Sequence, residues 1–350
     1  MTDSPDMLAP LLLRGRLQPT IWGGRNLARV AGKSLPEGAT IGESWETAEE
    51  SVVRNPPYEG RTLGALVERF GERLIGTRAV EVFGRRFPLL TKFIDARQPL
   101  SVQVHPNDDY AAAHENGKLG KTETWYILRA EPGAQLVYGL ARDSSPEEVR
   151  RAIAETRLED LLYSFEAREG DIIFVPAGTV HAIGAGVLLY ELQEYSDVTY
   201  RLYDYSRLQS DGTLRDLHVD KGLDVMRFGR LDVERVTPIS VPLSGDAGTR
   251  RILAACSYFV EEELRLAGES GAATSGLTCH IVTVLDGMCR LHSANGELSL
   301  FLGDTVVVPA SIGEYILEAA GARVLRSYVP EAENADLLAW RAAQPFPIEE

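Results

Sequence analysis

The chain has 350 residues, and its 36 lysines and arginines against 51 acidic residues give a formal net charge of −15. This charge argues against a nucleic-acid-binding protein, because such proteins neutralise backbone phosphates with lysine and arginine. The 44% content of hydrophobic residues is typical of a folded globular protein and excludes the composition of a disordered chain. The length suggests one large domain or two smaller ones.

Membrane and disulfide signals are missing from the sequence. No apolar run approaches the ~20 residues needed to span a bilayer, and Met1–Pro10 lacks the pattern of a secretory signal. The three cysteines, Cys256, Cys279 and Cys289, are odd in number and have no C-x-x-C spacing, so they support neither a disulfide framework nor a thiolate zinc site. We therefore expect a cytoplasmic protein with no membrane partner.

The first predicted element is an amphipathic helix over Thr62–Ile75, in which apolar residues recur at helical spacing. Three short runs rich in strand-forming residues follow it and are separated by turn-forming residues. We predict strands at Leu100–Val104, Thr124–Leu128 and Ala134–Tyr138.

A second helix is marked by a capping box at Ser145, with proline at the first helical position, and is expected to run to about Tyr163. Strands are predicted at Ile172–Val175 and Val187–Leu192. A third helix is predicted over Leu217–Phe228 from its near-helical apolar spacing.

The remaining third of the chain is rich in strands. Phe228–Val241 has charged residues, a proline and little periodicity, and we interpret it as the crossing between two units, residues 1–228 and 229–350. The density of short strands predicts a mainly β fold, a sandwich or a barrel, with peripheral helices. The predicted strands beyond the crossing are Ile281–Leu285, Leu298–Leu302, Thr305–Val308 and Tyr315–Leu317.

A short phrase occurs in both halves of the chain. Gly170–Ala177 and Gly303–Ala310 each contain a Gly-Asp turn, a hydrophobic strand and a terminating proline, which suggests an internal repeat of two double-sheet units. Five residues after the proline, the first copy has His181 and the second has Glu314. We therefore expect a working site in the first unit and a metal-free, structural second unit.

The candidate functional residues begin at Ser101. In an extended strand Ser101, Gln103 and His105 project to the same face, because side chains alternate. Glu123 lies at the approach to the next strand, and His181 follows the strand of the repeat. Two imidazoles, a carboxylate and a carboxamide suit zinc, and the ligand types are also compatible with Fe(II), Mn(II) or Ni(II). The alternative is that both histidines are ordinary core or surface residues satisfied by hydrogen bonds.

Longer motifs extend this constellation along the first two-thirds of the chain, where the sequence resembles the type I mannose-6-phosphate isomerases (phosphomannose isomerases) in their short bacterial form. The segments that carry the resemblance occur in the order seen in that family. They are Ile21–Gly24, Gly42–Glu46, Pro88–Ala96, Leu100–Asn107, Gly120–Tyr126, Gly170–His181, Glu191–Tyr205 and Leu217–Leu223.

The resemblance implies a pair of cupin jelly rolls and one Zn²⁺ per chain. The zinc ligands implied by the matching motifs are Gln103, His105, Glu123 and His181. The implied activity is that of an aldose–ketose isomerase of carbohydrate metabolism, which interconverts mannose 6-phosphate and fructose 6-phosphate through an enediol. A Lewis-acidic metal can polarise the oxygens involved.

The resemblance also implies the residues around the metal. Glu191 is a candidate for proton transfer, and a raised pKa in a buried site would suit that role. Arg201 would stabilise negative charge or bind phosphate, and Lys121 would contact sugar oxygens or assist proton movement. Ser101 and Lys92 are implied as substrate-binding residues.

Two alternatives to this function remain at the level of sequence. The protein could isomerise another sugar phosphate, or it could be a noncatalytic cupin that binds sugars or regulates a partner. The expected partner in the main interpretation is a small sugar phosphate. No nucleic acid, membrane or obligate protein partner is indicated.

Overall fold

The computed structural model describes residues 7–209, 211–231, 235–243 and 247–344, and strands dominate it. The described strands are β1 (Leu11–Arg14), β2 (Arg16–Gly24), β3 (Ile41–Trp45), β4 (Val52–Val53), β5 (Leu89–Ala96), β6 (Val102–Val104), β7 (Glu123–Ala130), β8 (Gln135–Leu140), β9 (Leu162–Glu166), β10 (Ile172–Val175), β11 (His181–Ile183), β12 (Val187–Glu194), β13 (Tyr200–Tyr203), β14 (Ile239–Pro242), β15 (Gly248–Ala255), β16 (Val260–Leu266), β17 (Glu269–Ala273), β18 (His280–Ser293), β19 (Gly296–Phe301), β20 (Thr305–Val308), β21 (Glu314–Glu318) and β22 (Ala322–Tyr328).

The helices are short and lie outside the sheets. None of those in the described ranges is long and apolar enough to cross a membrane. They are α1 (Leu27–Val30), α2 (Leu63–Phe70), α3 (Glu72–Ile75), α4 (Thr77–Phe83), α5 (Asp108–His114), α6 (Pro146–Ala154), α7 (Val219–Val225) and α8 (Ala335–Ala343).

The three predicted helices exist but are shorter than expected. The first is divided into α2 and α3 at Gly71, which has a positive φ of 50° that glycine adopts without strain. The capping prediction is confirmed for α6, because the Ser145 side chain accepts a hydrogen bond from the Glu148 backbone N–H. That helix ends at Ala154, and a 3₁₀ helix, Leu158–Leu161, continues toward β9. The helix predicted over Leu217–Phe228 is reduced to α7.

Two sheets form the N-terminal sandwich. One has the strand order β10-β7-β12-β5-β2-β3, and the other has the order β13-β6-β11-β8-β9. Large apolar side chains from both sheets, including Trp22, Trp125, Leu136 and Phe165, pack in a shared core. The site residues lie at one end of this core.

The C-terminal sandwich is built around β18, a long strand. Its first half pairs with β20 and β22, and its second half pairs with β19 and β21. One strand therefore contributes to both layers, and residues such as Val282, Leu291 and Val306 pack between them.

The repeat predicted from the shared phrase is present in the fold. The strands of the repeated phrase are β10 and β20. Each belongs to a set of four neighbouring strands, and the two sets follow the same order along the chain. The order β10-β7-β12-β5 in the first sandwich corresponds to β20-β18-β22-β16 in the second. The predicted fold class, mainly β with two cupin-type double-sheet units and peripheral helices, is confirmed.

The two sandwiches pack against each other through an extensive apolar core. Phe93 and Tyr190 of the first sandwich belong to the same cluster as Ile281 and Leu325 of the second. Strand β1 also pairs with β20, and β4 pairs with β1, so an N-terminal segment completes the C-terminal sheet. The division into residues 1–228 and 229–350 stays a prediction, and part of the expected crossing, residues 232–234, lies outside the described residues.

All three cysteines are buried and none forms a disulfide. Burial raises the pKa of each thiol to about 12. These thiols are therefore packing residues rather than nucleophiles.

Candidate metal centre and active site

One wall of the site is the sheet that contains β6, β11 and β13. Gln103 of β6 is the register partner of His181 on one side and of Arg201 on the other. Residues that lie directly opposite one another on neighbouring strands project to the same face. The alternation predicted for β6 thus places Gln103 in one row with His181 and Arg201.

The facing wall is the sheet that contains β5, β7 and β12. Glu123 begins β7, and Trp125 follows it on the same face. Trp125 is the register partner of Glu191, and Glu191 is the register partner of Lys92. All four side chains are almost fully buried.

Three of the predicted metal ligands converge between these walls. The ligand atoms of His105, Glu123 and His181 all lie within 4.8 Å of one another. His105 Nε2 is 3.7 Å from Glu123 Oε2, and His181 Nε2 is 3.5 Å from Glu123 Oε1. Gln103, the fourth predicted ligand, is half-buried and neighbours His181 in the strand register.

Backbone carbonyls orient both imidazoles. The Nδ1–H of His105 donates to the carbonyl of Val198 at 2.8 Å, and that of His181 donates to the carbonyl of Thr179 at 2.9 Å. Each Nε2 is therefore the basic nitrogen and lies beside Glu123. His181 Nε2 is buried without a hydrogen-bond partner among the described residues, which is expected of a nitrogen whose partner is a metal ion.

The protonation states also fit a metal. Burial and the nearby Lys121 ammonium lower the pKa of His105 well below its ordinary value and that of His181 to about 4. Both imidazoles are therefore neutral at pH 7 and able to act as ligands. Burial and the neighbouring Glu191 raise the pKa of Glu123 to about 7; a bound cation would favour its ionised form. His105, Glu123 and His181 could thus hold a metal ion together.

Lys121 links the metal site to the second carboxylate. Its buried Nζ forms an ion pair with Glu123, lies 3.2 Å from His105 Nε2 and is 3.9 Å from Glu191 Oε1. Lys121 lies two residues before Glu123, and in an extended backbone this spacing places both side chains on the same side of the chain.

Lys92 is the second lysine that contacts Glu191. Its Nζ donates to Glu191 Oε1 at 2.9 Å and to Gln193 Oε1 at 2.6 Å. Burial would raise the pKa of Glu191, but the Lys121 and Lys92 ammonium groups outweigh it and lower that pKa to about 2. Glu191 is therefore buried without the raised pKa that would suit a general base, because two ammonium groups are buried beside it.

Arg201 and Ser101 lie at the margin of the same face. Arg201 is half-buried in β13, and its Nη1 donates to the carbonyl of Asp216 at 2.8 Å. Burial and the Arg215 charge lower the pKa of the Arg201 guanidinium. Ser101 is buried immediately before β6.

Comparison with known proteins identifies the family. Residues 11–126 match the family described as phosphomannose isomerase type I, catalytic domain. The chain is 39% identical over 313 residues to mannose-6-phosphate isomerase ManA of Bacillus subtilis, covering 88% of this chain and 96% of that protein. The chain belongs to the phosphomannose isomerase type I family. It is also 37% identical over 310 residues to mannose-6-phosphate isomerase of Streptococcus mutans, covering 87% of this chain and 94% of the relative.

Comparison with solved structures supports the family membership at the level of the fold. The crystal structure of mannose 6-phosphate isomerase from Bacillus subtilis superposes with a TM-score of 0.82 at 33% identity, covering 92% of this chain and 99% of that chain. A mutant phosphomannose isomerase from Salmonella typhimurium has a TM-score of 0.75 at 17% identity, covering 93% of this chain and 100% of that chain. The second comparison concerns the fold alone.

The structure of this family member assigns a role to Trp125 that sequence reasoning missed. Its indole N–H lies 2.9 Å from Glu123 Oε1 and 3.2 Å from Glu191 Oε2, so one donor joins both carboxylates. Its ring also packs edge-on against His181, with centroids 5.3 Å apart. The signal was the Glu-x-Trp spacing, which in a strand places both side chains on one face.

Two further contacts were not predicted. Gln193 accepts a hydrogen bond from Lys92 and donates to the carbonyls of Glu194 and Ser196. His218 Nδ1 accepts from the backbone N–H of Arg201 at 3.1 Å. Gln193 follows Glu191 on the same face of β12, a spacing visible in the sequence, whereas the contact of His218 depends on how the chain returns after β13.

Proposed function

We propose that the protein is a zinc-dependent isomerase that interconverts mannose 6-phosphate and fructose 6-phosphate. Relatives aligned over nearly their whole length carry the name mannose-6-phosphate isomerase. The observation that carries the proposal is the buried group of His105, Glu123 and His181, in contact with the Lys121 and Glu191 pair. A metal centre beside a cation and a second carboxylate suits an aldose–ketose isomerisation.

In this proposal one Zn²⁺ per chain is held by Gln103, His105, Glu123 and His181. Nitrogen and oxygen ligands of this kind are those that zinc accepts. When bound, the ion acts as a Lewis acid toward the carbonyl and hydroxyl oxygens of the sugar.

The remaining residues of the site transfer the substrate proton and maintain the charges of the two carboxylates. Isomerisation removes a proton from C2 of the aldose, forms an enediol, and returns a proton to C1. We assign this transfer to Lys121 and Glu191, whose charged atoms are 3.9 Å apart. Trp125 keeps Glu123 and Glu191 in fixed orientations through its indole N–H. Lys92 maintains the negative charge of Glu191.

Substrate binding must overcome the negative charge of the whole chain, −15. A sugar phosphate is an anion, so the approach to the site needs local positive charge. We assign phosphate and sugar contacts to Arg201, Ser101 and Lys92. Arg201 is the group among them with a guanidinium fork suited to phosphate.

We further assign the catalytic role to residues 1–228, with residues 229–350 as a second cupin-like unit that holds no metal. The protein is proposed to be cytoplasmic, which agrees with three cysteines that are buried and reduced. Its proposed partner is the sugar phosphate, without nucleic acid, membrane or an obligate protein partner.

The test is the formation of fructose 6-phosphate from mannose 6-phosphate by one preparation, assayed as purified, after chelation and after zinc restoration. Activity should be lost and then recovered. His105→Ala should abolish it, whereas the control His114→Ala, at an exposed histidine in α5, should retain it.

Two outcomes would reject the proposal. A decisive preference for another sugar phosphate would change the substrate. The absence of C2-proton exchange with solvent in folded, zinc-loaded protein would instead favour a binding role.

A further inference from the structure

The C-terminal sandwich contains a cavity of about 280 Å³ at the position that corresponds to the metal site. Val175 and Val308 occupy the same place in the repeated phrase. Glu123 is the register partner of Val175, and His280 is the register partner of Val308. His280, which lines the cavity, therefore stands where the first sandwich has Glu123.

The same correspondence holds across the neighbouring strands. In the first sandwich Lys92 pairs in register with Glu191, and in the second Glu262 pairs in register with Arg326. The ion pair is thus present in both units with its charges exchanged. Arg326 also lines the cavity.

The metal-ligand positions of the opposite wall are changed. Gln103 is the register partner of His181, and Ala273 is the register partner of Glu314, which follows the second phrase at the same spacing. Two residues further along, Ser275 corresponds to His105. Ala273 and Ser275 both line the cavity, so the second unit has a pocket at the equivalent place, with a methyl group and a hydroxyl where the first unit has a carboxamide and an imidazole.

One side chain that lines the cavity, His280, is a candidate ligand-binding group. His280 is only 8% exposed, and its Nδ1 shares a hydrogen bond of 2.8 Å with the Tyr315 hydroxyl. Burial and the Arg326 charge lower the pKa of His280 well below its ordinary value, so the imidazole is neutral and has one N–H donor and one acceptor nitrogen.

The charges around the cavity disfavour an anion. Arg326 donates to Glu262 from Nε at 2.8 Å, and Arg250 forms ion pairs of 2.9 Å with both Glu262 and Asp336. These two guanidinium groups are balanced by the two carboxylates, and Glu331 adds a negative charge at the rim. A neutral ligand with several hydroxyl groups matches this balance better than a phosphate.

We propose that this cavity is a second binding site, specific for a small neutral polyol or unphosphorylated monosaccharide. The cavity has room for about nine waters at the bulk share of about 30 Å³ each, which is enough for one monosaccharide. His280 exchanges a hydrogen bond with a ligand hydroxyl, which can donate or accept, and Arg326 supplies a donor from the neighbouring strand β22. The assignment is independent of the isomerase proposal, because it requires neither a metal nor turnover.

The experiment is a calorimetric titration of the full chain with D-mannitol. Mannitol should bind saturably, and Ser275→Trp should abolish the binding, because Ser275 is exposed at the cavity and an indole there fills it. Ser299→Trp, at an exposed position of β19 away from the cavity, is the matched control and should bind as the parent does. His280→Ala should weaken binding about tenfold, the effect of losing one hydrogen bond.

The outcomes that overturn the proposal are equally defined. Absence of saturable mannitol binding to the folded parent would reject the site. Binding that survives in Ser275→Trp would place mannitol elsewhere on the molecule. Competition by inorganic phosphate would reject a neutral ligand as the occupant. Since Ser275 is exposed, the test stands even if His280→Ala fails to fold.

Discussion

Replacing Lys92 by methionine tests how the site maintains the charge of Glu191. Methionine preserves most of the buried volume but removes the ammonium group that lies 2.9 Å from Glu191 Oε1. At an effective dielectric constant of about 20, two charges at this distance interact by about 6 kcal/mol. This corresponds to about four pKa units if nothing compensates.

Compensation reduces this effect, because Lys121 stays 3.9 Å from the same oxygen and water can enter the space. We therefore expect the pKa of Glu191 to rise from about 2 by at least about two units. If ionised Glu191 is required for turnover, activity is lost as the pH falls through its pKa. The acidic limb of the pH–rate profile should then move to higher pH in Lys92→Met.

The assay is kcat against pH for mannose 6-phosphate isomerisation, with zinc in excess. The matched control is Lys33→Met, which removes a half-buried lysine whose partner, Glu46, lies 2.7 Å away outside the site. This control should change stability without moving the acidic limb. An acidic limb at the same pH in Lys92→Met and in the parent would refute the electrostatic role assigned to Lys92.

Three further predictions concern other parts of the molecule. Trp125→Phe removes the donor shared by Glu123 and Glu191 and should weaken zinc binding about 10–100-fold in a chelator competition. Glu261 is fully buried, and burial raises its pKa to about 8. Above the ordinary pKa of a glutamate, the unfolded chain releases the proton of Glu261, whereas the folded protein keeps it up to about pH 8. Stability from this group is therefore lost as the pH rises toward 8, and Glu261→Gln should stabilise the protein increasingly, by about 1.4 kcal/mol per pH unit between pH 5 and 8 in urea unfolding. Ser145→Ala removes the N-cap of α6 and should cost about 1 kcal/mol of unfolding free energy.

Each of these predictions has a control or a result that would contradict it. Trp340→Phe also removes a buried indole hydrogen bond, to the carbonyl of Leu253, and should leave zinc affinity unchanged. Glu263 is buried with Arg251 and Arg265 as partners, so Glu263→Gln should destabilise the protein. A stabilisation by Glu261→Gln that does not vary with pH, or an unchanged unfolding midpoint in Ser145→Ala, would contradict the stated mechanism.

Much of the local structure could be predicted because its causes are local. Alternation along a strand predicted that Ser101, Gln103 and His105 share one face, and the capping box located the start of α6. Helix lengths were overestimated where apolar spacing continued past a break. Gly71, for example, adopts a positive φ that interrupts the helix while the apolar pattern persists through Leu74.

The electrostatics of the site could not be predicted in the same way. Burial of Glu191 alone would raise its pKa, and sequence spacing does not show that Lys92 faces it from a strand about a hundred residues earlier. The pKa depends on distances of a few ångströms, and those distances are set by strand register.

The sequence by itself determined the fold class, the repeated phrase and the residue types of the metal site, since periodicity and motifs are properties of neighbouring residues. Tertiary structure alone decided which strands became partners. That pairing brought Trp125 between two carboxylates, carried β1 into the C-terminal sheet and placed His280 opposite Val308. These contacts join residues far apart in the chain, so they exist only once the sheets have closed around their common cores.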